Sequence, residues 1–179
     1  MEIKNHRLTN INFLRSPNFN ERPEGALINM IIIHSISLPL GEYENDNVER
    51  FFLNKLDKSL HTSFKELNNL KVSSHLYIKR NGEIIQFVPF DRRAWHAGES
   101  SFRGQDNCND NSIGIELEGT DNSEFNHHQY DSLKKAIKLL TSTYSEISID
   151  RIVGHSDVAP NRKTDPGQLF DWGILKGIA

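Results

Sequence analysis

The feature that most constrains this chain is the run over residues 28–33, where Ile28, Met30, Ile31, Ile32 and Ile33 crowd together and His34 follows at once. A short, β-branched apolar run places large side chains on both faces of a pleated strand, so it suits a strand buried on both sides. Such a strand needs a layer against each face, and it delivers His34 at its C-terminal end.

Other segments supply the layers. Residues 45–56 have a helical look, with Val48, Phe51, Phe52 and Leu56 on one side. Residues 127–144 form the clearest helix, with an apolar stripe of Tyr130, Leu133, Ile137, Leu140 and Tyr144 at steps of three and four. Asn126 is its expected N-cap, with Gln129 three residues on as in a capping box. Residues 75–79 and 83–88 flank Asn81-Gly82, a strong hairpin signal because both positions tolerate positive φ. Residues 112–119 alternate: Ile113, Ile115 and Leu117 point one way, and Glu116 and Glu118 the other, on the less apolar face. A last strand is expected over 149–153, ending at Gly154-His155. Strands mixed with helices and a hairpin indicate an α/β or α+β sheet packed by helices.

The chain has 179 residues, enough for one domain with a real core. A net charge of −3 excludes the basic excess of a general nucleic-acid binder and gives no strong pull toward anionic membranes. With Cys108 as the only cysteine, no intrachain disulfide can form, and Cys108 reads as a small packing residue. No stretch approaches a membrane span, and the N-terminus lacks the apolar run of a secretory signal, so an intracellular, cytoplasmic protein is expected. Residues 1–26, rich in turn formers around Ser16-Pro17-Asn18, are expected to pack on the domain as an arm.

Three side chains stand out as potential metal ligands. His34 ends one strand, His155 ends another, and Asp165 lies in the loop that begins at Asp157. None is paired with a second ligand at helical spacing, so no local metal motif identifies a site, and a lone histidine is more often a structural residue. The physical attraction is that strand ends are rigid, and three neutral or anionic ligands leave one position open for water.

Five segments in order carry a resemblance. They are Ile33-His34, Val72-Ser73-Ser74-His75, Trp95-His96-Ala97-Gly98, Ser112-Ile113-Gly114-Ile115-Glu116-Leu117-Glu118-Gly119, and the loop from Gly154-His155-Ser156-Asp157 through Lys163-Thr164-Asp165-Pro166-Gly167. Together they resemble the N-acetylmuramoyl-L-alanine amidase family, and within it the branch acting on cytoplasmic 1,6-anhydro-muropeptides, over about residues 12 to 173.

The resemblance implies an α/β fold: one domain over residues 1–179, a mixed central β-sheet with helices on its faces, and a zinc site at one edge of the sheet. It implies Zn2+ held by His34, His155 and Asp165. Glu116 would be the general base and Lys163 the cation that stabilises the oxyanion. His75, Trp95, His96 and Ala97 would contact substrate; for Trp95 and His96 a plain core role stays open, and for His75 a structural one. Asp157 reads as a loop-stabilising carboxylate, and Glu118 as a carboxylate supporting its neighbours. The implied reaction is hydrolysis of the amide between the lactyl group of N-acetylmuramic acid and L-alanine in a small soluble muropeptide, by a monomer, in cell-wall recycling. The rivals are a peptidoglycan-binding module without catalysis and a lytic amidase acting on polymeric wall. Lys71 and Asn107 stand where relatives carry arginines, and Ser35 where they carry an amide side chain; lysine keeps the charge without the bidentate fork, and asparagine loses the charge.

Overall fold

The structure, a computed structural model, describes residues 1–177. Its central sheet has six strands: β1 (Asn12–Phe13), β2 (Met30–Ile36), β3 (Leu76–Ile78), β4 (Ile84–Gln86), β5 (Ser112–Glu118) and β6 (Ile152–Gly154). Their order across the sheet is β6-β2-β5-β3-β4-β1. The first four in that order run parallel, β4 turns back antiparallel to β3, and β1 follows β4 in parallel. The fold is thus a single-domain α/β fold on a mixed sheet.

The isoleucine run becomes β2, but the strand continues past His34 to Ile36, because Ser35 and Ile36 pair with Leu117 and Glu118 of β5. His34 therefore sits inside a strand, held by neighbours on both sides. Both faces of β2 and β5 are covered. Ile31, Ile33, Ile113, Ile115 and Leu117 pack against Leu133, Ala136, Ile137 and Leu140 of the long helix α2 (His127–Thr143). Below α2, burial of each large aliphatic side chain contributes on the order of 1.5–3 kcal/mol.

The opposite face carries α1 (Asn47–Phe52), whose Val48, Phe51 and Phe52 pack with Tyr77, Ile85 and Phe87. Beside it, Met30 and Ile32 meet Ala97, Cys108 and Val158. All seven residues of β5 are buried, so the face that presents Glu116 is covered as well. Helix α1 is shorter than the apolar pattern over 45–56 predicts, because Asn54 takes a left-handed conformation (φ 58°) and turns the chain away. The hairpin forms as expected, but only Gly82 of its pair adopts positive φ (83°); Asn81 instead accepts the Glu83 N–H through Oδ1 at 2.9 Å.

The N-terminal segment is woven into the domain. Besides supplying β1, it pairs Phe19–Glu21 antiparallel with Arg92–Ala94. Asn18 donates to the carbonyl of Val72 (2.7 Å), and Ser16 to that of Phe52 (2.6 Å). The Arg22 guanidinium donates to the carbonyls of Phe90, Asn109, Asp110 and Ser112, with burial lowering its pKa to about 10.

Two expected outcomes follow from this frame. Asn126 accepts from Gln129 N–H at 3.1 Å, Gln129 reaches back to the Asn126 N–H, and Asn126 Nδ2 also donates to the carbonyl of Arg80 at 2.7 Å. Asn126→Ala should therefore cost about 1–2 kcal/mol in urea denaturation; a loss indistinguishable from zero would show that the cap does not matter. His75 is wholly buried, with Nδ1 accepting from Gly114 N–H (3.0 Å) and Nε2–H donating to the carbonyl of Arg92 (3.0 Å). Burial first, then the nearby Arg22 charge, lowers its pKa to about 3. The unfolded chain, where a histidine titrates near 6.5, binds this proton more readily, so stability falls as pH drops from about 6.5 toward 3. His75→Gln should flatten that fall by up to about 1.4 kcal/mol per pH unit, and equal slopes for both proteins would refute it.

Candidate metal centre and active site

One cavity lies against the face of the sheet that carries His34, lined by His34, Ser35 and Ile36 of β2, Glu116 of β5 and His155 just after β6. It sits over the inner strands β2 and β5 rather than at the sheet edge. β2 contributes His34. Directly opposite it in the β5 register stands Glu116, so the two side chains leave the sheet on the same face. β6 runs into α3 (His155–Val158), whose first residue is His155; Asp157 steadies this junction by accepting the Gly154 N–H at 2.7 Å. Asp165 arrives from the loop after α3, its own carbonyl accepting from Ser156 N–H at 3.0 Å.

Three atoms converge here: His34 Nδ1, His155 Nδ1 and Asp165 Oδ2, each 3.0 Å from the other two. The opposite ring nitrogens show what the converging ones carry. His155 Nε2 lies 3.0 Å from the carbonyl of Ala97, which can only accept, so Nε2 bears the proton and the neutral ring's Nδ1 presents a lone pair. His34 Nε2 lies 3.0 Å from His96 Nδ1, and His96 Nε2 lies 3.2 Å from Ser112 Oγ. A metal ligand needs the tautomer in which His34 donates to His96 and His96 to Ser112, leaving His34 Nδ1 as a second lone pair.

Two lone pairs and a carboxylate oxygen aimed at one another repel unless a cation lies among them. In a tetrahedral site with bonds of about 2.0–2.1 Å, ligand atoms stand roughly 3.3 Å apart. The three residues therefore fit a divalent metal ion, and among the described residues they form the one such cluster of His, Cys, Asp and Glu. Burial, larger than the upward pull of Asp165, lowers the His34 pKa to about 4, which keeps the imidazole neutral as a ligand must be. Burial alone would raise Asp165, but the two imidazoles beside it hold its carboxyl below the usual carboxylate range.

The same cavity, about 250 Å³, is walled by His96, Glu116 and Lys163 together with the apolar Leu38, Phe52, Leu67 and Val72. Glu116 is buried, and its Oε2 has no hydrogen-bond partner. Burial first, then the charge of Asp165, raises its pKa well above the normal range, against the opposing pull of Lys163. A carboxylate so placed has strong affinity for a proton. The Lys163 side chain is exposed and lies on the cavity wall two residues before Asp165.

The remaining residues expected at substrate take different places. His96 lines the cavity and backs His34. It fits there because Gly114 of β5 has no side chain; a Cβ at that position would lie 2.5 Å from the His96 ring. Ala97 is buried and presents its carbonyl to His155 and to Arg162. Trp95 is partly exposed outside the cavity lining, with Nε1 donating to Asn20. His75 is not brought to the cavity: its ring is enclosed and both nitrogens are engaged by backbone. Lys71 lines a neighbouring depression with Lys58 and Asn69, and Asn107 a separate one beside Arg162.

Sequence reasoning passed over Asn109, whose Oδ1 accepts from the N–H groups of both His96 and Ala97, and Asp121, which bonds Ser35 and Thr164. Both sit in runs of Asn, Asp and Ser that read simply as turns. Glu118 pins two loops, accepting from the N–H groups of Glu44 and Arg80.

Comparison with known proteins places this geometry. The sequence profile of the N-acetylmuramoyl-L-alanine amidase family matches residues 24–168. The 1,6-anhydro-N-acetylmuramyl-L-alanine amidase AmpD of Haemophilus influenzae is 46% identical over 171 residues, covering 96% of this chain and 93% of that protein. The Escherichia coli AmpD is 45% identical, covering 90% of this chain and 87% of its own length. A crystal structure of a selenomethionine AmpD derivative superposes with a TM-score of 0.96 at 40% identity, covering 100% of this chain and 99% of the other. The chain belongs to the N-acetylmuramoyl-L-alanine amidase family.

Proposed function

We propose that this chain is a zinc-dependent amidase. It hydrolyses the bond between the lactyl carbonyl of 1,6-anhydro-N-acetylmuramic acid and L-alanine in soluble muropeptides, as a cytoplasmic monomer serving cell-wall recycling. The observation that carries the reading is the mutual approach of His34, His155 and Asp165 to 3.0 Å, beside a buried glutamate with a free oxygen. The relatives' names support the substrate class. Among the described residues no helix is long and apolar enough to cross a membrane.

His34, His155 and Asp165 would hold the ion. Zinc there would supply Lewis acidity and a water made acidic enough to attack near neutral pH. Glu116 accepts a proton from the attacking water and returns it to the nitrogen of the departing L-alanine, and its free Oε2 is the atom able to carry that proton. Lys163 faces the oxygen that gains charge as the lactyl carbonyl becomes tetrahedral. His96 keeps the His34 ring in its orientation from behind. The apolar wall of Leu38, Phe52, Leu67 and Val72 limits water around the reacting amide.

The decisive experiment is zinc analysis of the purified protein together with mass spectrometry of its products from 1,6-anhydro-muropeptide. Free stem peptide and anhydro-sugar are expected; intact substrate with a zinc-loaded, folded protein would point to a binding module. Clearing of intact sacculi, faster than cleavage of soluble fragments, would point to a lytic enzyme.

Stripping metal with a chelator should abolish turnover, and added zinc should restore it. Asp165→Ala should lose zinc, since two imidazoles remain. Glu116→Ala and Lys163→Ala should retain zinc while kcat falls roughly 100- to 1000-fold. Wild-type kcat in either would remove that residue from the mechanism.

A further inference from the structure

The loop that carries Lys163 and Asp165 is exposed from Asn161 to Thr164, yet it must place a ligand atom to within tenths of an ångström. Ser156 N–H holds the carbonyl of Asp165 on one side. On the other side the loop meets the turn that follows β5. After Gly119 N–H bonds the carbonyl of Ile36 at 3.0 Å, the chain folds over residues 120–123, with Thr120 N–H donating to Ser123 Oγ at 2.9 Å. This turn sets Asp121 between the end of β2 and the loop.

The two oxygens of Asp121 divide their partners. Oδ1 accepts from Ser35 Oγ at 3.1 Å, and Ser35 is the residue next to His34. Oδ2 accepts from Thr164 Oγ1, and Thr164 stands between Lys163 and Asp165. One carboxylate thus ties the strand bearing one metal ligand to the loop bearing another. Gly167 extends the contact: it lies so close to the Asp121 backbone (φ 89°) that a Cβ would fall 2.1 Å from the Asp121 carbonyl oxygen. The Ser35 hydroxyl has a definite partner in this arrangement.

From these contacts we propose that Asp121 is a positioning residue, a latch that acts through the Thr164 hydroxyl to hold Asp165 and Lys163 in place over the strand ends. The inference rests on the reading of His34, His155 and Asp165 as a zinc site. It concerns orientation: Asp121 supplies neither a ligand nor a reacting group.

The test measures zinc affinity by chelator competition in the wild type, Asp121→Ala, Thr164→Val, Thr164→Ser and the Asp121→Ala/Thr164→Val double variant. Melting temperatures of the chelator-treated proteins are measured alongside. Loss of a residue that orients a ligand weakens metal binding by roughly 10- to 100-fold, and that loss is expected for Asp121→Ala and for Thr164→Val. Because Asp121→Ala already removes the contact that Thr164→Val removes, the double variant should lose no more than Asp121→Ala alone. Thr164→Ser, which keeps the hydroxyl, should bind zinc like the wild type, and the metal-free melting temperature of Thr164→Val should be unchanged, since Thr164 is exposed. Wild-type affinity in Asp121→Ala or Thr164→Val, or fully additive losses in the double variant, overturns the latch alone. Failure of the wild-type chain to take up zinc overturns the metal reading and the latch with it.

Discussion

Seven residue pairs in parallel register join β2 to β5, and the site depends on that pairing more than on any other contact. The register puts His34 opposite Glu116, so the imidazole proposed as a ligand and the carboxylate proposed to take the proton leave the same face of adjoining strands. A shift of one residue would send one of them into the apolar layer beneath α2. The isoleucines that fill that layer therefore do two things at once. They drive the burial that stabilises the sheet, and by alternation they dictate which side the polar residues occupy.

Burial is also what gives the polar residues their chemistry. The covered face turns His34 and His96 into neutral imidazoles and raises the proton affinity of Glu116. In water the same three groups would be ordinary titrating side chains. The protein meets the cost of enclosing buried polar rings by giving most of their polar atoms partners: Ala97 for His155, His96 for His34, Ser112 for His96, backbone for His75. The free Oε2 of Glu116 is one of only a few buried side-chain oxygens left without such a partner among the described residues, and it is the atom proposed to carry the proton.

Much of the frame was legible in the chain. The stripe of α2, its capping box and the alternation of β5 depend on neighbours within a few residues, which is the range over which sequence pattern speaks clearly. Element ends were less legible: β2 runs on to Ile36 because of its partner strand, and α1 stops early because Asn54 takes a left-handed turn. The convergence of His34 with Asp165 spans 131 positions and has no local signature, so it was readable through family resemblance alone. The enclosure of His75 was not readable either, because a histidine bonded by backbone at both nitrogens looks the same in sequence as one facing a ligand. Asn109 and Asp121 escaped notice for a related reason: their side chains act on backbone and hydroxyl groups of other segments, at separations of 12 to 86 positions where pattern carries no signal.

The missing side chain at Gly114 has a consequence for how such a site can change over time. Its bare backbone is the recess into which the His96 ring settles, and that ring props His34 from behind. An added methyl at Gly114 would push on His96 and, through it, tilt the first imidazole away from its two companions. Outside Lys163, Asp165 and Gly167, the outer loop can drift in sequence wherever its anchoring hydroxyl survives. The recess in the middle strand has no such latitude, and a residue that touches neither metal nor substrate becomes one of the least replaceable in the molecule.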